Sequence, residues 1–346
     1  MSKIAVFSKF FGYNVGGAER SVLELMKAEE QRGHEIVALV NAMPRGYGPA
    51  MQRLPLPGSW EVREFRLPVN WVRFRFFEYF VNKKTLRRLA KSLQDIDVLY
   101  AYGPLAPALI NAFPGKTVYL VRDEYGLGWN INYYKGIRGL VQALYHAIEW
   151  PLRALWRQEL LRAMRKSRLI ANSNFIEGNL RRLAPDSEIE LVRSQVNTAE
   201  LEEEYRRFKG TVSPQGVVVI GDSVLKGGDI ARRVAARLPE TVFYVFDRRY
   251  TAPRRVNNVF FMPWQVPGAV YAHARVVMVP SRWHEAFPRV VLESQALGVP
   301  VVASDRGGIP EALRDHSRLV HDLDDIDEWA RQITSVISGS GGGADR

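Results

Sequence analysis

Two glutamates stand with seven residues between them in "SRWHEAFPRVVLESQALG": Glu285 and Glu293. Glu285 falls between the end of an apolar run and the start of a helical one; Glu293 falls about two turns further on, inside that helix. Paired carboxylates are the equipment of glycoside hydrolysis. A carboxylate is equally an acceptor for a sugar or ribose diol, which offers two O–H donors side by side. A helix interior suits a mobile acid poorly and the chain has no hydrolase barrel pattern, so diol binding is the better chemistry for Glu293. The plain alternative is a solvent-facing helix residue. Taken alone, that alternative is the stronger; buried among its apolar neighbours Val290, Val291, Leu292 and Leu297, a carboxylate would be costly without a donor.

Two glycine turns offer anion chemistry. In "FGYNVGGAER", Gly16 and Gly17 precede a helix, so their amides and the helix N-terminus form an anion site. The pattern is neither G-x-G-x-x-G nor a Walker loop, and a tight strand-to-helix turn explains it as well. In "SVLKGGD", Lys226 stands before Gly227 and Gly228. A lysine beside exposed amides suits a diphosphate, although an exposed lysine is ordinary. Cysteine is absent, which excludes disulfides, thiolate nucleophiles and cysteine metal sites. The pair Asp95 and Asp97 precedes a strand-like run rather than ending one, so it is not read as a metal-binding D-x-D, and no metal is expected.

The elements that must position these residues alternate along the chain. "KIAVFSKF", "EIVALVN", "DVLYAY", "TVYLVRD", "RLIANS" and "EIELVRS" read as strands, with helices between them. A second series runs "GVVVIGD", "TVFYVFD", "NVFFMP", "RVVMVPS" and "VPVVASD". Short strands apolar on both faces imply parallel sheets covered on both sides, and 346 residues suit two domains. The fold class expected is α/β with two doubly wound Rossmann-like domains facing across a cleft. The expected bounds are a first Rossmann-like domain at 1–200, a linker at 201–215, a second Rossmann-like domain at 216–338 and a flexible tail at 339–346. Open α/β sheets bind ligands beyond the carboxyl ends of their strands, so the strand-to-helix turns are where the chemistry belongs.

Charge divides unevenly. Residues 1–210 hold 32 Lys and Arg against 22 Asp and Glu, a net of +10; the remainder holds 16 against 15. A field of one sign on one domain points to an anionic partner. The segments 70–93 and 134–169 interleave cations with Trp, Phe and Tyr, as basic amphipathic helices do on an anionic membrane face. The alternative is aromatic core with a solvated basic face. No nucleic-acid-binding motif is present, so nucleic acid is not the expected partner. There is no run long enough to span a bilayer and no basic-then-apolar leader. The expected location is cytoplasmic, peripheral on the inner face of the cell membrane.

"PSRWHEAFPRVVLESQALGVPVVASDRGGIPEAL" resembles the E-x7-E signature of the family-four retaining glycosyltransferases of the GT-B fold. "GGAER", "ANSNFIEGNLRR", "VNT" and "LKGGD" resemble that family's other motifs, in the same order. The resemblance implies a sugar transfer from a nucleotide-sugar, UDP- or GDP-linked, used as co-substrate, with no cofactor. It implies that Glu285 holds hydroxyls of the transferred sugar and that the amides of Ala286 and Phe287 approach sugar and diphosphate oxygens. Glu293 would bind the ribose, Lys226 the departing diphosphate, and Gly16 and Gly17 phosphate or acceptor; Trp264 would border the base. By the same resemblance, Glu285 and Lys226 would be the catalytic pair. Retention is thought to follow front-face attack, with a leaving phosphate oxygen taking the acceptor proton. The expected acceptor is a lipid-linked or cell-envelope glycan; the alternatives are a soluble small molecule or a non-catalytic sugar-nucleotide-binding role. Three positions depart from the family. Asp222 and Ser223 stand where an arginine is usual, leaving Arg282, Arg289 and Arg306 to meet the diphosphate charge. Pro288 replaces a glycine, and Arg122 replaces a histidine. Arg122 is a permanent cation suited to a carboxylate or phosphate on donor or acceptor, or to an ion pair with Asp123 or Glu124.

Overall fold

A computed structural model of the chain describes residues 1–13, 16–42, 53–70, 75–127, 136–212 and 215–339. They fall into two compact units, Met1–Gln195 and Val196–Arg346. The first runs β1 (Lys3–Phe7), α1 (Gly17–Gln31), β2 (Glu35–Asn41), β3 (Glu61–Phe65), α2 (Arg75–Lys91), β4 (Val98–Tyr102), α3 (Ala106–Ala112), β5 (Lys116–Val121), α4 (Gly136–Lys166), β6 (Arg168–Ala171), α5 (Asn174–Leu183) and β7 (Ile189–Leu191). Its described strands form one parallel sheet in the order β3-β2-β1-β4-β5-β6-β7. The order reverses between β1 and β4, which is the switch point where such sheets open a crevice at their carboxyl edge. Ile4, Val6, Tyr102, Leu120 and Ile170 bury one face against Val22, Leu23 and Met26 of α1. Phe76 and Tyr79 of α2 meet Trp156 of α4, whose indole N–H donates to Pro104 O at 2.9 Å.

Helix α4 changes character at Pro151, inside its span. Beyond it, Trp156, Leu160, Ala163 and Met164 are buried. Before it, Ile137, Leu140, Val141, Leu144 and Ile148 are all exposed. Their spacing of three and four residues puts them on one face.

The second unit runs α6 (Thr198–Phe208), β8 (Gly216–Ile220), α7 (Gly228–Arg237), β9 (Phe243–Asp247), β10 (Arg254–Val256), β11 (Val259–Pro263), α8 (Pro267–Ala272), β12 (Ala274–Val279), α9 (Arg289–Ala296), β13 (Val301–Ser304), α10 (Ile309–Ala312), β14 (Leu319–Val320) and α11 (Ile326–Ile337). The sheet order is β10-β11-β9-β8-β12-β13-β14. Only the edge pair β10–β11 is antiparallel among the described strands. The switch point here lies between β8 and β12. Two core clusters, around Val218 and Val277 on one face and Val219 and Trp329 on the other, cover the sheet on both sides.

The stretch 201–215, expected as a linker, begins instead inside α6, and the division between units falls before it. Its charged sequence hid two anchors: Leu201 is buried and Tyr205 packs on the second core. Gly268 N donates to Glu204 Oε2 at 3.0 Å, and a Cβ on Gly268 would fall 2.3 Å from Glu204 Cβ, so α6 and α8 touch backbone to side chain. Ser213, Pro214 and residues 340–346 of the expected tail lie outside the described residues.

Candidate active site

The loops leaving β8 and β12 meet at the switch point of the second sheet. The amides of Arg282 and Trp283 both donate to Leu225 O at 3.0 Å, tying the β12 loop to the residue before Lys226. Gly227 caps α7 in the left-handed region at φ 73°, and a Cβ there would lie 1.9 Å from Pro280 O. Glycine is therefore required for the loops to lie this close. The result is a short contact between the two residues expected to be catalytic: Lys226 Nζ stands 2.5 Å from Glu285 Oε1, which also accepts from Ser281 Oγ at 2.9 Å. The lysine is about half exposed and the glutamate mostly covered.

The loop after β13 closes against the same glutamate. Gly307 has φ 60°, and a Cβ on Gly308 would lie 1.9 Å from Ala286 O. Gly308 N donates to Glu285 O at 2.6 Å. This pair of glycines lets one main chain lie on the other, and it fixes Glu285 and Ala286 from behind. Ala286 is buried and Phe287 half-buried against the core.

Glu293 is 7% exposed within α9. Tyr271 OH donates to its Oε2 at 2.8 Å, and Arg289 reaches Oε1 from Nε at 3.1 Å. Burial, with the Glu293 charge beside it, pushes the Tyr271 hydroxyl well above its ordinary pKa, so it stays a donor. With Arg289 Nη2 also 3.0 Å from Oε1, these contacts use most of a carboxylate's acceptor capacity of about four lone-pair sites and leave room for a further hydroxyl. Arg289 is legible as an i−4 partner; Tyr271 and Ser281 reach the site through the fold, and sequence reasoning missed both. Trp264 follows β11, with the Arg248 guanidinium 5.1 Å from its ring centroid.

The three arginines left to balance a diphosphate have different partners. Arg282 pairs with Asp229 at 2.8 Å and Asp324 at 3.2 Å, and Arg289 with Glu293 at 3.0 Å. The guanidinium of Arg306, beside Gly307, donates only to Asp305 O at 2.8 Å and has no ion pair among the described residues. Asp222, where the arginine is usual, accepts Tyr250 OH and pairs with Arg232. Pro288 caps α9 without an N–H.

In the first unit, Gly16 caps α1 without a side-chain bond and Gly17 opens the helix. Arg122 follows β5 at the carboxyl edge and is buried. Asp95 pairs with Lys3 and Arg63 and the carboxylate of Asp97 accepts from Lys3 N, so both are spent on structure.

Residues 15–200 match the family described as Glycosyltransferase Family 4, and residues 248–343 match Glycosyl transferases group 1. A D-inositol 3-phosphate glycosyltransferase of Mycolicibacterium smegmatis is 30% identical over 255 residues, covering 64% of this chain and 57% of that protein. The chain thus spans less than two thirds of the curated relative's length. Among solved structures, sucrose-phosphate synthase from Thermosynechococcus elongatus matches with a TM-score of 0.69 at 17% identity, over 98% of this chain and 90% of that one. HepE of Anabaena, in complex with UDP, matches with a TM-score of 0.67 at 16% identity, over 99% and 91%. At these identities the likeness is one of fold, and that fold is GT-B.

Proposed function

The chain belongs to Glycosyltransferase Family 4, and on that premise we propose that it transfers a sugar from a UDP- or GDP-linked donor to a lipid-linked or cell-envelope glycan, with retention and without a metal. The observation that carries the reading is the meeting of Lys226 and Glu285 across the switch point, at 2.5 Å. Breaking the C–O bond needs charge stabilisation on the departing diphosphate and on an oxocarbenium-like sugar. Lys226, the amides at the start of α7 and Arg306 supply the first. The carboxylate of Glu285 holds sugar hydroxyls and faces the second. Glu293 accepts a ribose hydroxyl with the acceptor capacity that Tyr271 and Arg289 leave open, and Trp264 borders the base. The leaving phosphate oxygen takes the acceptor proton, so no protein nucleophile is needed. Turnover of UDP- and GDP-sugars by the purified protein and by Lys226→Ala tests this. Equal turnover by both proteins would remove Lys226 from the chemistry.

The acceptor side rests on the first unit. The exposed apolar face of α4 is accompanied by a pocket of about 460 Å³ on α2, lined by Phe80, Lys83, Lys84, Arg87, Arg88 and Lys91. An apolar helix face and clustered cations on the same unit suit an anionic bilayer, and this supports a peripheral enzyme working on an acceptor held at the cytoplasmic face. No described helix is long and apolar enough to cross a membrane. A second reading, a soluble acceptor, is favoured by the relative's name, D-inositol 3-phosphate glycosyltransferase. Activity that needs vesicles supports the first reading; full activity on soluble polyols in their absence supports the second.

A further inference from the structure

The first sheet carries buried polar groups that its own fold does not use. Tyr102 ends β4, Arg122 follows β5, and Asn172 follows β6. Tyr102 stands level with Leu120, and Val121 with Ala171, so the three residues are neighbours at one carboxyl edge. Tyr102 and Leu120 share the face that α1 covers, and Arg122 lies two residues beyond Leu120. All three are at least nine-tenths buried; Arg122 is 8% exposed. Yet Arg122 Nε and Nη1, and Asn172 Oδ1, have no hydrogen-bond partner among the described residues, and Tyr102 Oη has only the Ser8 side chain near it, outside good hydrogen-bond geometry.

Arg122 also has no ion pair with the described residues. Among the undescribed residues only Asp345 carries a carboxylate side chain. Asp123 and Glu124 follow it directly and do not pair with it. The carboxylates whose fields reach Tyr102 are Glu19, in the first turn of α1, and Asp123. Burial pulls the Arg122 guanidinium down to about 10, with Tyr102 working the other way. A guanidinium remains charged at neutral pH even so. A buried charge with no partner is among the costlier features a fold can keep, and natural proteins keep such features at functional sites.

We propose that Arg122 is the anion-recognising centre of a polar pocket at the carboxyl edge of the first sheet, taking a sugar or polyol that bears a carboxylate or a phosphate. Its planar fork matches either group in bidentate geometry. Tyr102 donates to the same ligand, the amide oxygen of Asn172 accepts a ligand hydroxyl, and Glu19 is a further hydroxyl acceptor that repels a second anion. This deepens the glycosyltransferase reading by naming the class of ligand in the first unit, and it rests on that reading only for the ligand's role as acceptor.

The experiment is calorimetric titration of the full chain, without donor, using inorganic phosphate, glucose 6-phosphate, glucuronate and glucose. UDP is titrated separately. Binding of an anionic ligand in preference to glucose supports the proposal; glucose 6-phosphate or inorganic phosphate assigns phosphate, and glucuronate assigns carboxylate. Arg122→Gln should weaken that binding by at least about tenfold, with UDP binding unchanged. The same variant should raise the ligand-free Tm, by about 2 °C or more, because it removes an unpaired buried charge. Glucose binding as well as its phosphate, no binding of any anionic probe, or a lower Tm in Arg122→Gln would each overturn the proposal. If UDP binds to neither protein, the donor reading fails, whatever the anionic probes do.

Discussion

Glu293 is held from two sides, by Arg289 one turn back and Tyr271 on another helix. Its charge therefore costs little in the folded chain and still leaves acceptor capacity for a ligand. Glu293→Gln should weaken donor binding by about tenfold or more, the worth of a charge-assisted hydrogen bond, measured as UDP affinity. Glu285→Gln should act on turnover rather than affinity, lowering kcat by about 100-fold, as loss of one transition-state contact does. Wild-type constants for both variants would sink the site. Arg306→Gln should lower kcat/KM, whereas Arg282→Gln, already committed to Asp229 and Asp324, should change it less; the opposite ranking would show that the diphosphate is held elsewhere. Activity should survive EDTA, and a loss restored by Mg²⁺ would count against this mechanism. The loop and helix settings of the two glutamates were legible from the spacing and the glycine that follows. Their partners were not. Ser281 and Tyr271 are ordinary residues that reach a carboxylate only once β12 and α8 are packed.

The strands that hold these loops were readable because buried parallel strands are apolar on both faces, and "VVVIGD" or "VYLV" admits few other readings. The edges were harder. Residues 61–65, "EVREF", have an exposed, charged pattern and form β3 only because β2 pairs with them. Helix α6 looked like a charged linker because only Leu201 and Tyr205 mark its buried side. The basic segments prove to be helices α2 and α4, but their charges divide. Arg75 is buried, Lys83 pairs with Glu159 at 3.2 Å, and Trp71 and Arg73 lie outside the described residues. On α2 the exposed cations are Lys84, Arg87, Arg88 and Lys91, at the spacing of a single helix face, with Arg87 also 4.0 Å from Glu159 Oε2; α4 adds Arg157, Arg162, Arg165 and Lys166. Replacing the four on α2 with Ser should release the protein from anionic vesicles in co-sedimentation while leaving UDP affinity intact. Replacing Leu140, Leu144 and Ile148 with Ser should weaken binding that persists at high salt. Vesicle binding that ignores both sets would end the membrane reading.

At the scale of the whole molecule, the excess charge lies almost entirely in the first unit, while the second is nearly neutral. Each cation near an anionic surface contributes about 1 kcal/mol, falling off within a Debye length. Four outward cations on α2 therefore give about 4 kcal/mol, so binding should fall steeply between low and physiological salt. A nucleotide held by the second unit should raise Tm as its concentration rises, by mass action. Pro151 has a consequence of a different kind, which is mechanical. It lacks the N–H that the carbonyl of Ala147 would otherwise accept, and sharp helix bends gather at such residues. The part of α4 before it spans about 22 Å at 1.5 Å per residue. A bend of about 20° at Pro151 would carry its tip roughly 7 Å. On the proposed membrane reading, helix α4 is a lever with its fulcrum at the proline, one end packed at Trp156 and the other turning its apolar face toward the bilayer.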